Sequence, residues 1–297
     1  MRGAVIDLGT NTFNLLVFER EFGTNKTVFS TRIAVGLGLG GINSNTIAKE
    51  AFKRGVDAIK KFKAICEQEH VSTIKAFGTS ALRGANNASD FTKEVQEKTG
   101  IQIEIINGLQ EAELIFKGVK TVHQFSSPSI IMDIGGGSTE FIRVENDVAK
   151  DKKSFDIGVS RILQKFDLSD PLSEENKAEI ISFFSSQTNK YFKNNKAEIL
   201  VGSSGSFETF YELIQGNSYE IENQSVELSF LQLFKVLDTL IDSDSHYRDH
   251  HPNIIDMRKK MIHIAALKTK WVIQQSGVRA VWLSPASLKE GMLTLFP

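Results

Sequence analysis

An aspartate at the end of an apolar strand, then a glycine-bearing polar turn and a second strand, occurs twice in this chain. Residues 4–17 read A-V-I-D-L-G-T-N-T-F-N-L-L-V, and residues 131–144 read I-M-D-I-G-G-G-S-T-E-F-I-R-V. Setting Asp7 against Asp133 pairs Gly9 with Gly135, Thr10 with Gly136, Thr12 with Ser138 and Asn14 with Glu140. A motif repeated once per half predicts two similarly folded domains facing each other across a cleft, with both aspartates inside it.

The chemistry of the second copy is the more explicit. Gly135, Gly136 and Gly137 carry no Cβ, so their backbone N–H groups can close on an anion. Asp133 and Glu140 are carboxylates on either side of that turn. A phosphate cradle beside hard oxygen ligands is what a Mg²⁺-dependent phosphoryl site requires. Read by itself, the stretch fits a glycine-rich hairpin with incidental acids equally well.

The rest of the chain alternates strands with helices, which predicts α/β layers. Strand patterns at 3–8, 13–20 and 27–35 form a meander, followed by a helix over 44–69, a strand at 71–77, a helix at 87–98, a strand at 101–106 and a helix over 108–121. A polar Ser/Pro segment at 123–129 predicts the boundary between domains of residues 1–124 and 125–297. Strands then recur at 129–133, 140–145 and 148–155, with helices at 173–194, 229–241 and 254–275. A last strand covers 278–283 and a last helix about 286–297, the latter free to pack back on the first domain. Residues 36–41 (G-L-G-L-G-G) follow a meander rather than opening a βαβ unit, so they make no dinucleotide fingerprint. Gly202, Ser203 and Ser204 form a small-residue turn before a helix, where an anion site and a plain structural turn both fit.

Bulk properties narrow the class. At 297 residues the chain is long for one core and ample for two. A net charge of −1 excludes a globally basic nucleic-acid binder. The single cysteine, Cys66, cannot make an internal disulfide, so a reducing cytoplasm is the expected compartment. No leader pattern opens the chain, and no apolar run approaches the ~20 residues a membrane span needs. His246, His250 and His251 lack surrounding carboxylates at metal spacing and read as solvated loop residues. Trp271, Trp282 and the phenylalanines read as core, because no basic clusters are interleaved with them.

The motifs together resemble the exopolyphosphatase / guanosine pentaphosphate phosphohydrolase family (Ppx/GppA), in its short two-domain form. To the two repeats are added G-T-S-A-L-R (78–83), I-N-G-L-Q-E-A-E-L-I-F-K-G-V (106–119), D-I-G-V-S-R (156–161), V-G-S-S-G-S (201–206), H-P-N-I-I-D-M-R (251–258) and L-K-E-G-M-L (288–293). The resemblance implies duplicated ribonuclease H-like domains, of the actin, sugar-kinase and heat-shock ATPase type, with an interdomain cleft. It implies that Glu111 is the catalytic base and that Asp133, Glu140 and Asp7 hold Mg²⁺ or Mn²⁺. Phosphate contacts fall on Gly9, Thr10, Asn11 and Thr12, on Thr79, Ser80 and Arg83, on Gly135, Gly136, Gly137 and Ser138, on Arg161, and on the 202–204 turn. Without the resemblance, an acid that complements its helix dipole is the strong reading of Glu111, and position alone does not decide between that and a general base.

Three positions depart from the resembled pattern. Asn14 stands where a basic residue is usual, Gln110 where Glu is frequent, and Lys260 where an acid is expected. The expected substrate is inorganic polyphosphate, with guanosine penta- or tetraphosphate as the alternative and a catalytically weak sensor of either as a third reading. No membrane or specific nucleic acid is expected as a partner, and homodimers are common in the resembled family. Lys259, Lys260 and Lys289 are candidates for a basic track, although each singly reads as a solvated lysine.

Overall fold

Strand alternation sets the architecture. A computed structural model describes residues 1–219 and 223–297. In the first half, β1 (Arg2–Leu8), β2 (Thr12–Glu21) and β3 (Thr24–Ala34) form an antiparallel meander. A 3₁₀ turn precedes α1 (Lys49–Gln68), and β4 (Thr73–Gly78), α2 (Ser80–Gly84), α3 (Ala88–Thr99), β5 (Ile103–Ile105) and α4 (Gly108–Lys120) follow. The sheet order is β3-β2-β1-β4-β5, with β4 parallel to both β1 and β5.

The second half repeats this plan. It comprises β6 (Ser129–Ile134), β7 (Thr139–Glu145), β8 (Val148–Phe155), α5 (Val159–Lys165), α6 (Glu174–Thr188), α7 (Tyr191–Asn194), β9 (Ile199–Ser203) and α8 (Gly205–Gln215). Then come β10 (Val226–Leu228), α9 (Phe230–Asp242), α10 (Ser245–His250), α11 (Asp256–Lys259), α12 (Ile262–Ser276), β11 (Ala280–Leu283) and α13 (Leu288–Met292). The order β10-β11-β9-β6-β7-β8 is the first sheet's order with one antiparallel edge strand, β10, added. The shared strand order is that of duplicated ribonuclease H-like domains.

Side-chain alternation along β1 and β6 decides what faces the middle. Ala4, Ile6 and Leu8 pack outward with Phe62 and Phe91 of α1 and α3. Ile130, Met132 and Ile134 pack outward with the second half's helices. Val5 and Ile131 point inward instead, into a third core with Ala112 and Ile115 of α4 and Met292 of α13. Asp7 and Asp133 share that inward parity with Val5 and Ile131. Each fully buried Phe or Leu contributes about 1.5–3 kcal/mol of burial, so the middle layer binds the halves firmly. The C-terminal segment fastens it further. Arg20 Nη1 donates to Pro297 O at 2.6 Å, Lys75 Nζ to Leu295 O at 2.7 Å, and Phe18 meets Phe296 edge-on.

Several expected elements differ. The helix expected over 44–69 starts at Lys49, because Ile42–Ser44 is a 3₁₀ turn ending in left-handed Asn45. The helix expected over 173–194 breaks where Asn189 and Lys190 both take positive φ. The one over 254–275 divides, since Met261 (φ −131°) leaves the helical region between α11 and α12. The strand expected at 101–106 is only Ile103–Ile105. His246 and His250 lie on α10 rather than in a loop, with rings 4.3 Å apart. Among the described residues no helix is long and apolar enough to cross a membrane. Cys66 is a buried free thiol, and Trp271 is core.

Candidate active site

The two repeated turns have the same geometry. Gly9 N–H donates to Thr12 O and Gly135 N–H to Ser138 O, each at 3.1 Å. Asp7 sits opposite Asn14 and Asp133 opposite Glu140 across their hairpins. Both turns open into one cleft of about 260 Å³ lined by Asp7, Glu111, Asp133 and Glu140. They approach so closely that a Cβ on Gly136 would stand 2.7 Å from the Asn11 side chain, and one on Gly137 2.7 Å from Thr10 Oγ1. Any side chain there would hold the turns apart.

Helix α4 brings Glu111 to the cleft. Asn107 caps it, its side chain accepting from Leu109 N and Gln110 N while Gln110 Oε1 accepts from Asn107 N, a capping box that fixes the first turn. Gln110, the expected departure, is therefore spent on the cap. Glu111 is 7% exposed, and Arg83 Nη1 donates to its Oε2 at 2.9 Å. Burial pushes its carboxyl up to about 7, against the pull of Arg83 and with help from Asp7 and Asp133. Such a group can take a proton from water near neutral pH.

The remaining carboxylates are supported unequally. Ser203 Oγ donates to Asp133 Oδ2 at 2.9 Å, and Ser287 Oγ donates to the same oxygen. Glu140 Oε1 accepts from Ser138 and Ser154, each at 2.6 Å. Asp7 Oδ2 accepts from Asn14 at 2.9 Å, but Asp7 Oδ1 is buried with no hydrogen-bond partner. Burial raises all three carboxyls, Asp7 to about 7. Among the described residues no group of three or more His, Cys, Asp or Glu side chains is arranged to hold a metal by itself. The donor set nevertheless suits Mg²⁺, which is commonly held by one or two carboxylates plus substrate oxygens and water. The orphaned Asp7 oxygen could serve as such a ligand.

Of the expected phosphate contacts, Gly9, Thr10, Asn11, Thr12, Thr79, Ser80, Gly135, Gly136, Gly137, Ser138 and Ser204 line the cleft. Ser80 Oγ is buried without a partner. Ser204 holds a strained φ of 91° at the cleft wall, and its Oγ accepts from Ile134 N.

Four expectations are corrected. Gly202 and Ser203 belong to β9 instead of a turn. Gly202 packs on the Phe207 ring, and Ser203 serves Asp133. Arg83 does not line the cleft as a phosphate fork, because it binds Glu111 and the Ile106 carbonyl. Arg161 is likewise occupied, by the carbonyls of Gly137 and Ile42 and by Asp156. Of the basic-track candidates only Lys289 lines the cleft. Lys259 pairs with Asp256, and Lys260 is exposed.

The cleft also contains groups the sequence reading overlooked. Met257 and Met261 form part of its wall, with Arg32, Glu208 and Arg258 nearby. Arg258 donates to Glu208 at 2.7 Å. Behind the cleft, fully buried Lys268 of α12 donates to Thr139 Oγ1 at 2.8 Å and to the Ile157 carbonyl, joining the start of β7 to the segment between β8 and α5. A lysine within the buried run 262–269 of α12 leaves no periodic mark in a sequence.

Comparison with known proteins identifies the family and the fold. The family model described as the Ppx/GppA phosphatase family matches residues 16–295. A guanosine-5′-triphosphate,3′-diphosphate pyrophosphatase of Vibrio vulnificus is 31% identical over 214 residues, which covers 71% of this chain and 43% of that protein. One from Aeromonas hydrophila is 30% identical over 223 residues, 73% and 45% of the two chains. The matched stretch thus spans less than half the length of either relative. The crystal structure of an exopolyphosphatase from Cytophaga hutchinsonii superposes with a TM-score of 0.94 at 33% identity, covering 99% of this chain and 97% of that one. An Aquifex aeolicus Ppx/GppA structure, 23% identical with a TM-score of 0.82 over 99% and 97% of the chains, shares the fold.

Proposed function

The chain belongs to the Ppx/GppA phosphatase family, and on that footing we propose that it removes terminal orthophosphate from inorganic polyphosphate. The observation that carries the reading is Glu111, buried beside Arg83 at a cleft walled by both glycine turns. Phosphoryl transfer asks chiefly for charge neutralisation, in-line placement and an oriented water. Backbone N–H groups of the two turns, with Ser80 and Thr12, would hold the terminal phosphate. Glu111 would align a water and accept its proton as the water oxygen bonds to phosphorus and the bridging P–O bond breaks. Arg83 keeps the Glu111 carboxyl oriented. Asp7, Asp133 and Glu140 would hold Mg²⁺ or Mn²⁺, which when bound offsets charge on the phosphate oxygens.

Polyphosphate is preferred because the likeness to the Cytophaga exopolyphosphatase runs the length of both chains. Guanosine pentaphosphate is the alternative favoured by the Vibrio and Aeromonas relatives, over less than half of their length. A buried free thiol, Cys66, suits a reducing compartment.

The test is phosphate release from polyphosphate, guanosine pentaphosphate and ATP in parallel, with Mg²⁺ and with EDTA. Polyphosphate should give the highest kcat/KM, and Glu111→Gln should bind it while losing about 10²–10⁴ in rate. A variant that still turns over would remove Glu111 from the mechanism. Tight binding without turnover in the unaltered protein would make it a sensor instead.

A further inference from the structure

Five methionines occur in the chain, and their settings differ sharply. Met132 and Met292 are wholly buried, and Met1 is exposed at the amino terminus. Met257 and Met261 are half-buried and line the cleft. Their sulfurs take hydrogen bonds from the polar side chains of the phosphate turns. Thr12 Oγ1 donates to Met257 Sδ at 3.7 Å and Asn11 Nδ2 to Met261 Sδ at 3.5 Å. Asn11 comes from the first half and Ser160 from the second; Ser160 Oγ donates to Asn11 Oδ1 at 2.5 Å and lies 3.0 Å from Met261 Sδ. Met261 therefore closes a knot that ties the two walls of the cleft together.

A thioether is a weak, neutral acceptor, so phosphate oxygens can displace it from these donors. We propose that Met257 and Met261 form a peroxide-sensitive oxidation site that shuts the cleft to phosphate chains. This rests on reading the two turns as phosphate-binding. The sulfur lone pair attacks one oxygen of hydrogen peroxide. An S–O bond forms as the O–O bond breaks, the sulfur is oxidised by two electrons, and the other oxygen leaves as hydroxide and is protonated to water. The resulting sulfoxide is polar and strongly accepting. An oxygen on Met257 holds the Thr12 hydroxyl and one on Met261 the Asn11 amide, donors that a phosphate would otherwise use, and the partial negative charge on each disfavours an incoming anion. Met257 lies in α11, and Met261 stands at the break between α11 and α12. Cys66 is 1% exposed, so the thiol is not a competing target.

The experiment exposes the protein to hydrogen peroxide, maps oxygen addition by peptide mass spectrometry and measures tripolyphosphate affinity by calorimetry. Met257 and Met261 should gain oxygen together with exposed Met1, while Met132 and Met292 do not. Tripolyphosphate should bind about tenfold more weakly, the equivalent of ~1.4 kcal/mol, and methionine sulfoxide reductase should restore it. Met257→Leu/Met261→Leu, compared with its own untreated sample, should not respond to peroxide. The inference is overturned if Met1 oxidises and the cleft pair does not, or if oxidised protein binds tripolyphosphate unchanged. It is also overturned if the double variant weakens equally, if the reductase restores nothing, or if untreated protein binds no tripolyphosphate. Untreated protein that binds tripolyphosphate without cleaving it would end the hydrolase reading and leave this one standing.

Discussion

Glu111 and Arg83 are a matched pair, and their coupling makes a prediction about pH. Burial raises the Glu111 carboxyl to about 7, and Arg83 is the main force holding it down. A base must be ionised to accept a proton, so kcat/KM should rise with pH and level off above about 7. Replacing Arg83 by Gln removes an opposite charge within hydrogen-bond distance, a change that shifts a carboxyl by about one unit or more. The acid limb should therefore move upward by about that much while substrate affinity changes less. A variant whose affinity collapses and whose limb stays put would return Arg83 to the role of phosphate ligand. The sequence leads one to expect Arg83 at a phosphate, whereas the structure pairs it with Glu111 and the Ile106 carbonyl. A guanidinium beside a phosphate cleft and beside a carboxylate suits either, and only the position of Ile106 O, which takes the same Nη1 at 3.0 Å, turns it toward Glu111.

Two helices set the depth at which the acids meet. α4 crosses α13 with backbones almost touching, so that a Cβ on Gly118 would stand 2.0 Å from Ser287 O and one on Gly291 1.8 Å from Leu114 O. Gly291→Ala should force the helices apart, at a stability loss of about 1–3 kcal/mol or more. It should also draw Ser287 away from Asp133. A lower melting temperature together with lower kcat is expected, and full activity in a destabilised variant would mean that Ser287 does not matter to Asp133. The strand–turn–strand repeats were legible because glycine turns and period-2 apolar runs are local signals. Ser154 was not legible, for a reason the hairpin explains. Counting back from the β7–β8 turn, with Glu145 opposite Val148 and Val144 opposite Ala149, would set Lys153 across from Glu140. A bulge between Arg143 and Val144 moves the register by one, and Ser154 faces Glu140 instead. A one-residue shift exchanges the two faces of a strand, and no residue in 141–149 announces it. The helix breaks at Asn189 and Met261 escaped for a similar reason, since tertiary packing overrode a continuous apolar pattern.

In the whole molecule, the shared cleft sets how stability responds to pH and to divalent metal. Asp7 and Glu111 both titrate near 7 in the folded chain, above their ordinary values of 3.8 and 4.5. Each therefore favours folding fully only below its ordinary value, and that contribution is lost as pH rises through about 7. For Asp7 alone the loss is on the order of 4 kcal/mol. His263 acts in the opposite sense. Burial, with Arg248 nearby, lowers it from 6.5 to about 4, so the unfolded chain takes up a proton first and stability rises with pH across that window. Two carboxyls outweigh one imidazole of similar shift, so metal-free protein should lose stability between about pH 4.5 and 7. A cation held by Asp7 and its neighbours favours the ionised carboxylates that burial disfavours, and binding only the folded state stabilises it by roughly 2.7 kcal/mol at a hundred times its Kd. The melting temperature gained from Mg²⁺ should therefore be larger at about pH 8 than at about pH 5.5, where protons already occupy the carboxyls. Thermal unfolding with Mg²⁺ and with EDTA at both values decides it. An equal gain, or none, would mean that the acids of the two turns do not share a metal, and the duplicated turns would then meet only to bind phosphate.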